Sequence, residues 1–276
     1  MWVRAWRKFL RNKLAVLSGI FVVLLILTAY VGPFLLKYPY DGVDYTAVYQ
    51  GPSLKHWFGT DELGRDIFSR LVYSLRTAMT VAFGAESITL VAGVAVGAIA
   101  GYVGGRVDNL LMRFTDIMFA FPSFLFNVML IAVMGRGMLT IFIAIGLTSW
   151  VGLARLVRAE VLKIKSREFV EAGHAMGASH WDIVTRYILP NVLGPIIVTM
   201  SFGVPGAMMT ESALSLIGMG VAPPAPSFGA LITAGQRFVL SYPHMLLWPA
   251  LVFAFTLLAF TWLGDGLRDA FDPRDQ

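Results

Sequence analysis

Few residues of this chain have the type and spacing that chemistry requires. The four histidines, His56, His174, His180 and His244, lie outside or at the edge of the apolar stretches, with no pair at metal-ligand spacing inside one. Cysteine is absent, which removes disulfides, thiolate nucleophiles and Cys-bound metal. No GxxxxGK[ST] phosphate loop, HExxH motif or nucleophile elbow occurs, so the chain is not expected to hydrolyse ATP or any other bond itself. Two carboxylates, Glu86 and Glu211, fall inside long apolar stretches. An ionisable group there costs about 2.5–3.5 kcal/mol on insertion scales and marks a functional position by default. They are read as candidate gating residues, since two isolated acids are too few for a proton relay. The chemistry these residues allow is passage, not catalysis.

The elements that must position them are set by composition. Of 276 residues, 57% are hydrophobic, and the mean hydropathy is +0.70. Soluble domains are roughly 45–50% apolar, so the composition calls for a membrane protein, and the fold expected from the spans below is an all-α integral membrane protein. A formal net charge of +5 would suit nucleic acid in a soluble chain. In a membrane protein, excess Lys and Arg reflects topology instead, and no nucleic-acid partner is expected.

Residues 1–13 place Trp2, Trp6 and Phe9 on one helical face among Arg4, Arg7, Lys8, Arg11 and Lys13. This predicts a cytoplasmic amphipathic segment lying on membrane lipid. The 14–36 stretch is long enough for a first span and too long for a signal-peptide core of about 7–15 residues. A polar extracytoplasmic loop, 37–76, follows. In it Thr60 is read as the cap of an amphipathic helix starting Asp61-Glu62, with Leu63, Ile67, Leu71 and Leu75 repeating every four residues. Further spans are read at 77–103, 114–134 (containing Pro122), 138–157, 191–217 (broken by Gly203, Pro205 and Gly206) and 244–264. The proline cluster within 212–231 predicts an outer loop or re-entrant turn. In the second span Gly93, Gly97, Gly101 and Gly105 fall four apart, a ridge of small residues that lets helices pack closely.

Residues 166–190, SREFVEAGHAMGASHWDIVTRYILP, interrupt the apolar pattern. Ser166 is read as the cap of a helix with Glu168 in its first turn and Gly177 as its stop. Ser179 then caps a second short helix with Asp182 three residues on, and Pro190 suits the first turn of a third. Two short helices joined at a glycine make a knob. Gly173 and Gly177, four apart, would let a partner's backbone approach.

Glu171-Ala172-Gly173, Gly177 and Leu189-Pro190 stand at the spacing of the "EAA" loop of binding-protein-dependent ABC importer permeases, which this chain resembles. It departs where the family commonly has a second alanine and this chain has Gly173. The stretches HWFGTDELGRDIFSRL, SALSLIGMGVAPPAPSFGAL and GDGLRDAFDPR resemble the dipeptide, oligopeptide and nickel branch of that family. The resemblance implies a type I ABC importer fold, its permease core of five transmembrane helices spanning 77–264, with 265–276 a cytoplasmic tail. It also implies that 166–190 is the loop that plugs into a separate ATPase, placing Glu168, Glu171, Ala172, Gly173, Met176, Gly177 and Ala178 at that contact. The implied partners are a second homologous permease subunit, two ATPase subunits that hold the ATP and Mg, and an extracytoplasmic solute-binding protein. No cofactor or metal is expected on this chain.

Charge orients the six transmembrane helices. With both termini cytoplasmic, inner segments hold fifteen Lys and Arg and outer segments seven, which places the chain in the cell membrane with 166–190 on the ATP side. The implied function is the permease of an importer for di- or oligopeptides. Nickel and glutathione are the alternatives within the branch, and the lack of a mid-membrane histidine favours peptide over nickel. Outside the family, a stand-alone ion-coupled transporter would require charges on several spans, and a membrane-embedded enzyme would require a catalytic constellation.

Overall fold

A computed structural model describes residues 2–271. The end of the tail, 272–276 with Arg274, lies outside the described residues, as do the side chains of Trp2 and Arg4. The described residues are helical apart from turns and a single isolated bridge, Thr60 with Asp66. Among the described residues five helices are long and apolar enough to cross a membrane, or six if a pair bent by 83° counts as one.

Helix α1, Trp2–Arg11, lies against the end of the chain: Ala5 and Phe9 are buried with Ala15 and Ala270, while Val3, Trp6 and Leu10 remain exposed. Asn12 starts α2, Lys13–Tyr30, its side chain accepting from the Ala15 amide at 3.2 Å. The first span therefore ends at Tyr30, short of the expected residue 36, because Gly32-Pro33 turns the chain into a 3-10 segment.

The expected helix at Asp61 does not form. Asp61 instead accepts from the Leu63 and Arg65 amides and from Arg65 Nε at 2.7 Å, closing a turn, and Thr60 Oγ1 donates to the Ala47 carbonyl. Asp66 is the true cap, its Oδ2 accepting from the Ser69 amide at 2.8 Å while its Oδ1 meets His56 Nδ1 at 2.9 Å. Helix α3 then runs unbroken over Ile67–Val103, so the separate amphipathic helix is the first three turns of the second span. Within the loop, the hydroxyl and amide of Thr46 hold the Asp44 carboxyl below the usual carboxylate range.

Gly104 and Gly105, both at positive φ, turn the chain sharply into α4, Gly105–Ala120, and α5, Ser123–Met134. The break between these two is Phe121-Pro122, where proline disfavours helical geometry in the preceding residue. The third span is thus two helices. Helix α6, Met138–Lys165, runs parallel to α3 and packs along most of its length.

That packing is built on glycine. A Cβ on Gly93 would meet Leu153 at 2.8 Å, and one on Gly101 would meet Val161 at 2.9 Å. A Cβ on Gly97 would run into the Ala154 carbonyl oxygen. From the other side Gly146 receives Ile88, and nearer the start of α3 Gly84 receives the Phe142 ring. Gly105 stands apart from this ridge: it has nothing near it and serves the turn into α4.

Beyond α6 come a short α7, Glu168–Ala175, one turn of α8, His180–Asp182, and a π-helical stretch, Ile183–Ile188. This leads directly into α9, Leu189–Leu216. The break expected at Gly203, Pro205 and Gly206 is absent. Pro205 is buried among neighbouring helices, where a helix has no water to exchange its remaining hydrogen bonds with. An irregular turn over 217–227 precedes α10, Phe228–Gln236, which Ser227 caps, and α11, His244–Phe271, completes the bundle against α9 and α2.

Gly97→Leu should lower the stability of the protein by about 1–3 kcal/mol, the usual range for overpacking. Val91→Leu, on a face where Val91 is 71% exposed, should change nothing. A thermal solubility assay in detergent reads both. Equal effects would show that α3 and α6 do not depend on close approach.

Candidate functional site

The 166–190 knob is built by helix ends. Because α6 continues to Lys165, Ser166 terminates it, and the Ser166 hydroxyl donates back to the Lys163 carbonyl at 3.3 Å. Arg167 precedes α7 without a side-chain cap, so Ser166 does not play the capping role expected of it. Gly177 closes the helix at φ +82, and the Ala178 amide donates to the Gly173 carbonyl. Ser179 Oγ accepts from the Asp182 amide at 3.1 Å and lies 2.6 Å from the Asp182 carboxylate. The second helix is the first turn of a continuous rod that passes through the π segment into α9.

The knob has two faces. Val170 and Gly173 point inward, and a Cβ on Gly173 would meet Ile183 at 2.9 Å and the Tyr187 ring at 3.2 Å. Gly173 therefore lets α7 seat on its own following segment, not on a partner. Glu168, Glu171, Ala172, Met176 and Gly177 are exposed, and Ala178 is half-buried. Three exposed apolar side chains lie among them: Phe169 at 44%, Met176 at 74% and Trp181 at 75%. Phe169 and Trp181 were not singled out by sequence, because an apolar residue on a helix beside a membrane span reads as core. Their signal was position within the loop motif, since residues that bury inward recur as Val170, Gly173 and Ile183 and leave these two outside. A protruding knob with exposed apolar residues and two acids can serve as a plug for a groove on another protein.

The intramembrane acids are buried and separate. Glu86 lies on α3 against Gly203 of α9, where a Cβ would collide with its carboxylate. Glu211 is two turns further along α9, about 12 Å at 1.5 Å per residue. It is fully buried; Ser215 Oγ donates to its Oε1 at 2.9 Å, and Ser227 Oγ lies 2.9 Å from Ser215 Oγ. Among the described residues its Oε2 has no hydrogen-bond partner. Near the bend between α4 and α5, a cavity of about 400 Å3 is lined by Phe119, Phe121, Phe126, Thr148 and Gly152, among others. Two ion pairs join α4 to α6: Asp108 with Arg158, bidentate at 2.5 and 2.6 Å, and Asp116 with Arg155 at 2.7 Å. Among the described residues no group of three His, Asp or Glu side chains could hold a metal.

A parallel helix pair, a bent third span and a knob between the fourth and fifth spans define a type I ABC importer permease fold. A chain from a methionine ABC transporter in inward-facing conformations superposes with a TM-score of 0.60 at 16% identity, covering 74% of this chain and 96% of that one. A chain from an amino acid ABC transporter gives 0.55 at 14% identity, covering 73% and 94%. Residues 93–274 match the model of the binding-protein-dependent transport system inner membrane component, and residues 1–52 that of the N-terminal TM domain of oligopeptide transport permease C. The chain belongs to the binding-protein-dependent transport system inner membrane component family, whose members are membrane transport components.

Its relatives match over nearly all of this chain. The oligopeptide transport system permease of Escherichia coli K12 is 40% identical over 278 residues, covering 100% of this chain and 92% of the relative. The dipeptide transport system permease of Bacillus subtilis 168 is 42% identical over 272 residues, covering 98% and 85%. A glutathione transport system permease of Pectobacterium atrosepticum is 38% identical over 274 residues, covering 99% and 91%.

Gly177→Val forces a β-branched residue into the left-handed region, at a cost of about 1–2 kcal/mol. Amide hydrogen exchange over 168–182 should accelerate while α3 and α6 stay protected. Unchanged exchange in the knob would show that Gly177 does not set its shape.

Proposed function

We propose that this chain is the permease subunit of an ATP-driven importer for di- or oligopeptides, forming half of the translocation pathway in the cell membrane. It pairs with a second, homologous permease and with two ATPase subunits that hold the ATP and Mg. An extracytoplasmic solute-binding protein delivers the cargo. Both termini and the knob face the cytoplasm. The observation that carries this reading is the knob itself. A chain with no phosphate-binding loop of its own presents Phe169, Glu171, Met176 and Trp181 outward on a short helical plug. Glu168, Ala172, Gly177 and Ala178 complete the contact, and Gly173 shapes it from within.

ATP binding closes the ATPase pair, the two knobs move with it, and the permease pair shifts between inward- and outward-facing states. The ATPases and the loaded binding protein bias that two-state element from opposite sides of the membrane. The peptide assignment is supported by the names of the relatives just given, and glutathione, itself peptide-like, is the second reading that one of them favours. Glu86 and Glu211 act in gating. Glu211 is suited to this because its Ser215–Ser227 chain ties the outer end of α9 to the turn that faces the binding protein.

In the reconstituted complex, Glu171→Lys should leave membrane insertion intact and abolish ATP-driven peptide uptake. Glu211→Gln should alter ATPase stimulation by loaded binding protein without changing solute affinity of the isolated binding protein. Wild-type uptake by the Glu171→Lys complex would overturn the ATPase-docking reading. Wild-type stimulation by the Glu211→Gln complex would remove Glu211 from gating.

A further inference from the structure

Tyr102, at the cytoplasmic end of α3, belongs to no motif that marks the knob, yet three elements converge on it. Its hydroxyl lies 2.6 Å from His180 Nδ1, and the two ring centroids are 5.8 Å apart. Lys165, the last residue of α6, donates to the Tyr102 carbonyl and stands 5.4 Å above its ring. On the knob side, the His174 ring is 6.0 Å from that of His180. Among the described residues, this is the one side-chain hydrogen bond that ties the knob to a span with which it is not contiguous. The tyrosine ring is half-buried and packs on the inner core that Val170 and Ile183 share with Val157 and Val161 of α6.

We infer that Tyr102 and His180 are the latch through which displacement of the knob reaches α3, and so are positioning residues for energy coupling. The inference rests on the proposed docking of an ATPase on the knob. The knob's covalent outlets are its two-residue join to α6 at Ser166–Arg167 and the π segment Ile183–Ile188, a geometry that is rare and associated with functional sites. The Tyr102–His180 contact instead engages a helix of 37 residues, about 55 Å long at 1.5 Å per residue. At its far end Asp66 caps the helix and holds His56, so the same rod reaches the extracytoplasmic loop. Glycine contacts bind α3 to α6 along the way, and the pair therefore moves as one body. With His180 Nδ1 as acceptor, the tyrosine hydroxyl donates, and removing that hydroxyl deletes the latch while keeping the ring and its packing.

The test uses the full complex in liposomes: both permeases, the ATPases and the binding protein, with wild type, Tyr102→Phe, His180→Phe, the double variant and Glu171→Lys compared. The readouts are complex yield and peptide taken up per ATP hydrolysed. A structural role alone would move the yield and not the ratio. Tyr102→Phe should assemble normally, continue to hydrolyse ATP and lose about fivefold to tenfold in uptake per ATP, the size of one hydrogen bond. The double variant should be no worse than either single one, because both remove the same interaction. Wild-type uptake per ATP in Tyr102→Phe, additive losses in the double variant, or failure to assemble would each overturn the latch. Should Glu171→Lys abolish uptake while Tyr102→Phe is silent, only the latch fails. Should Glu171→Lys also be silent, the docking reading beneath it fails.

Discussion

Helices inside a bilayer gain nothing from the hydrophobic effect by touching one another, since lipid tails are as apolar as leucine. Close backbone approach must supply the attraction, and in this chain it does so between α3 and α6. Gly93, Gly97 and Gly101 on one helix and Gly146 on the other remove the side chains that would hold the helices apart. Ala154, Val157 and Val161 fill the groove and are fully buried. Apart from Glu211 on α9, the residues with a functional reading are attached to that pair. Helix α6 carries the knob at its end, α3 carries Glu86 and the capped outer loop, and the ion pairs of α4 are made to α6.

This arrangement separates a stiff part from a yielding part. The α3–α6 pair has no helix break, whereas α4 and α5 are bent by 83° and the rod into α9 passes through a π-helix. Proline in α9 is accommodated without interruption, so the irregularity that the sequence promises at Pro205 appears earlier, beside the knob. A push at the knob therefore meets a rigid body on one side and a deformable joint on the other. Buried acids fit the same division: Glu86 sits where α3 meets α9, and Glu211 where α9 meets the outer turn.

Much of this was legible in the residues, and the rest was not for identifiable reasons. Apolar stretches mark the spans, and Gly177, Ser179 and Pro190 mark the knob, because helix ends need particular residues; Glu171 was singled out only by its place in the loop that the chain resembles. The register of capping was less legible. Thr60 and Ser166 are good caps in isolation, but each hydroxyl is taken by a carbonyl, of Ala47 and Lys163, and the competition is decided by residues distant in sequence or by how far the preceding helix runs. Gly105 continued an arithmetic series whose physical basis had ended at Gly101, since a chain turn at positive φ replaced the helix. Tyr102 was invisible because its partner lies 78 residues away.

The account stands on the claim that the exposed face of the knob docks an ATPase on the cytoplasmic side. The chain has no cysteine, so single thiols can be placed at will. Met176→Cys, where Met176 is 74% exposed on the knob, should cross-link to an ATPase subunit in the assembled importer. Leu54→Cys, where Leu54 is 99% exposed in the loop ahead of α3, at the opposite end of that helix from the knob, should not. Cross-linking from Leu54→Cys, or none from Met176→Cys in a complex that still transports, would contradict the claim.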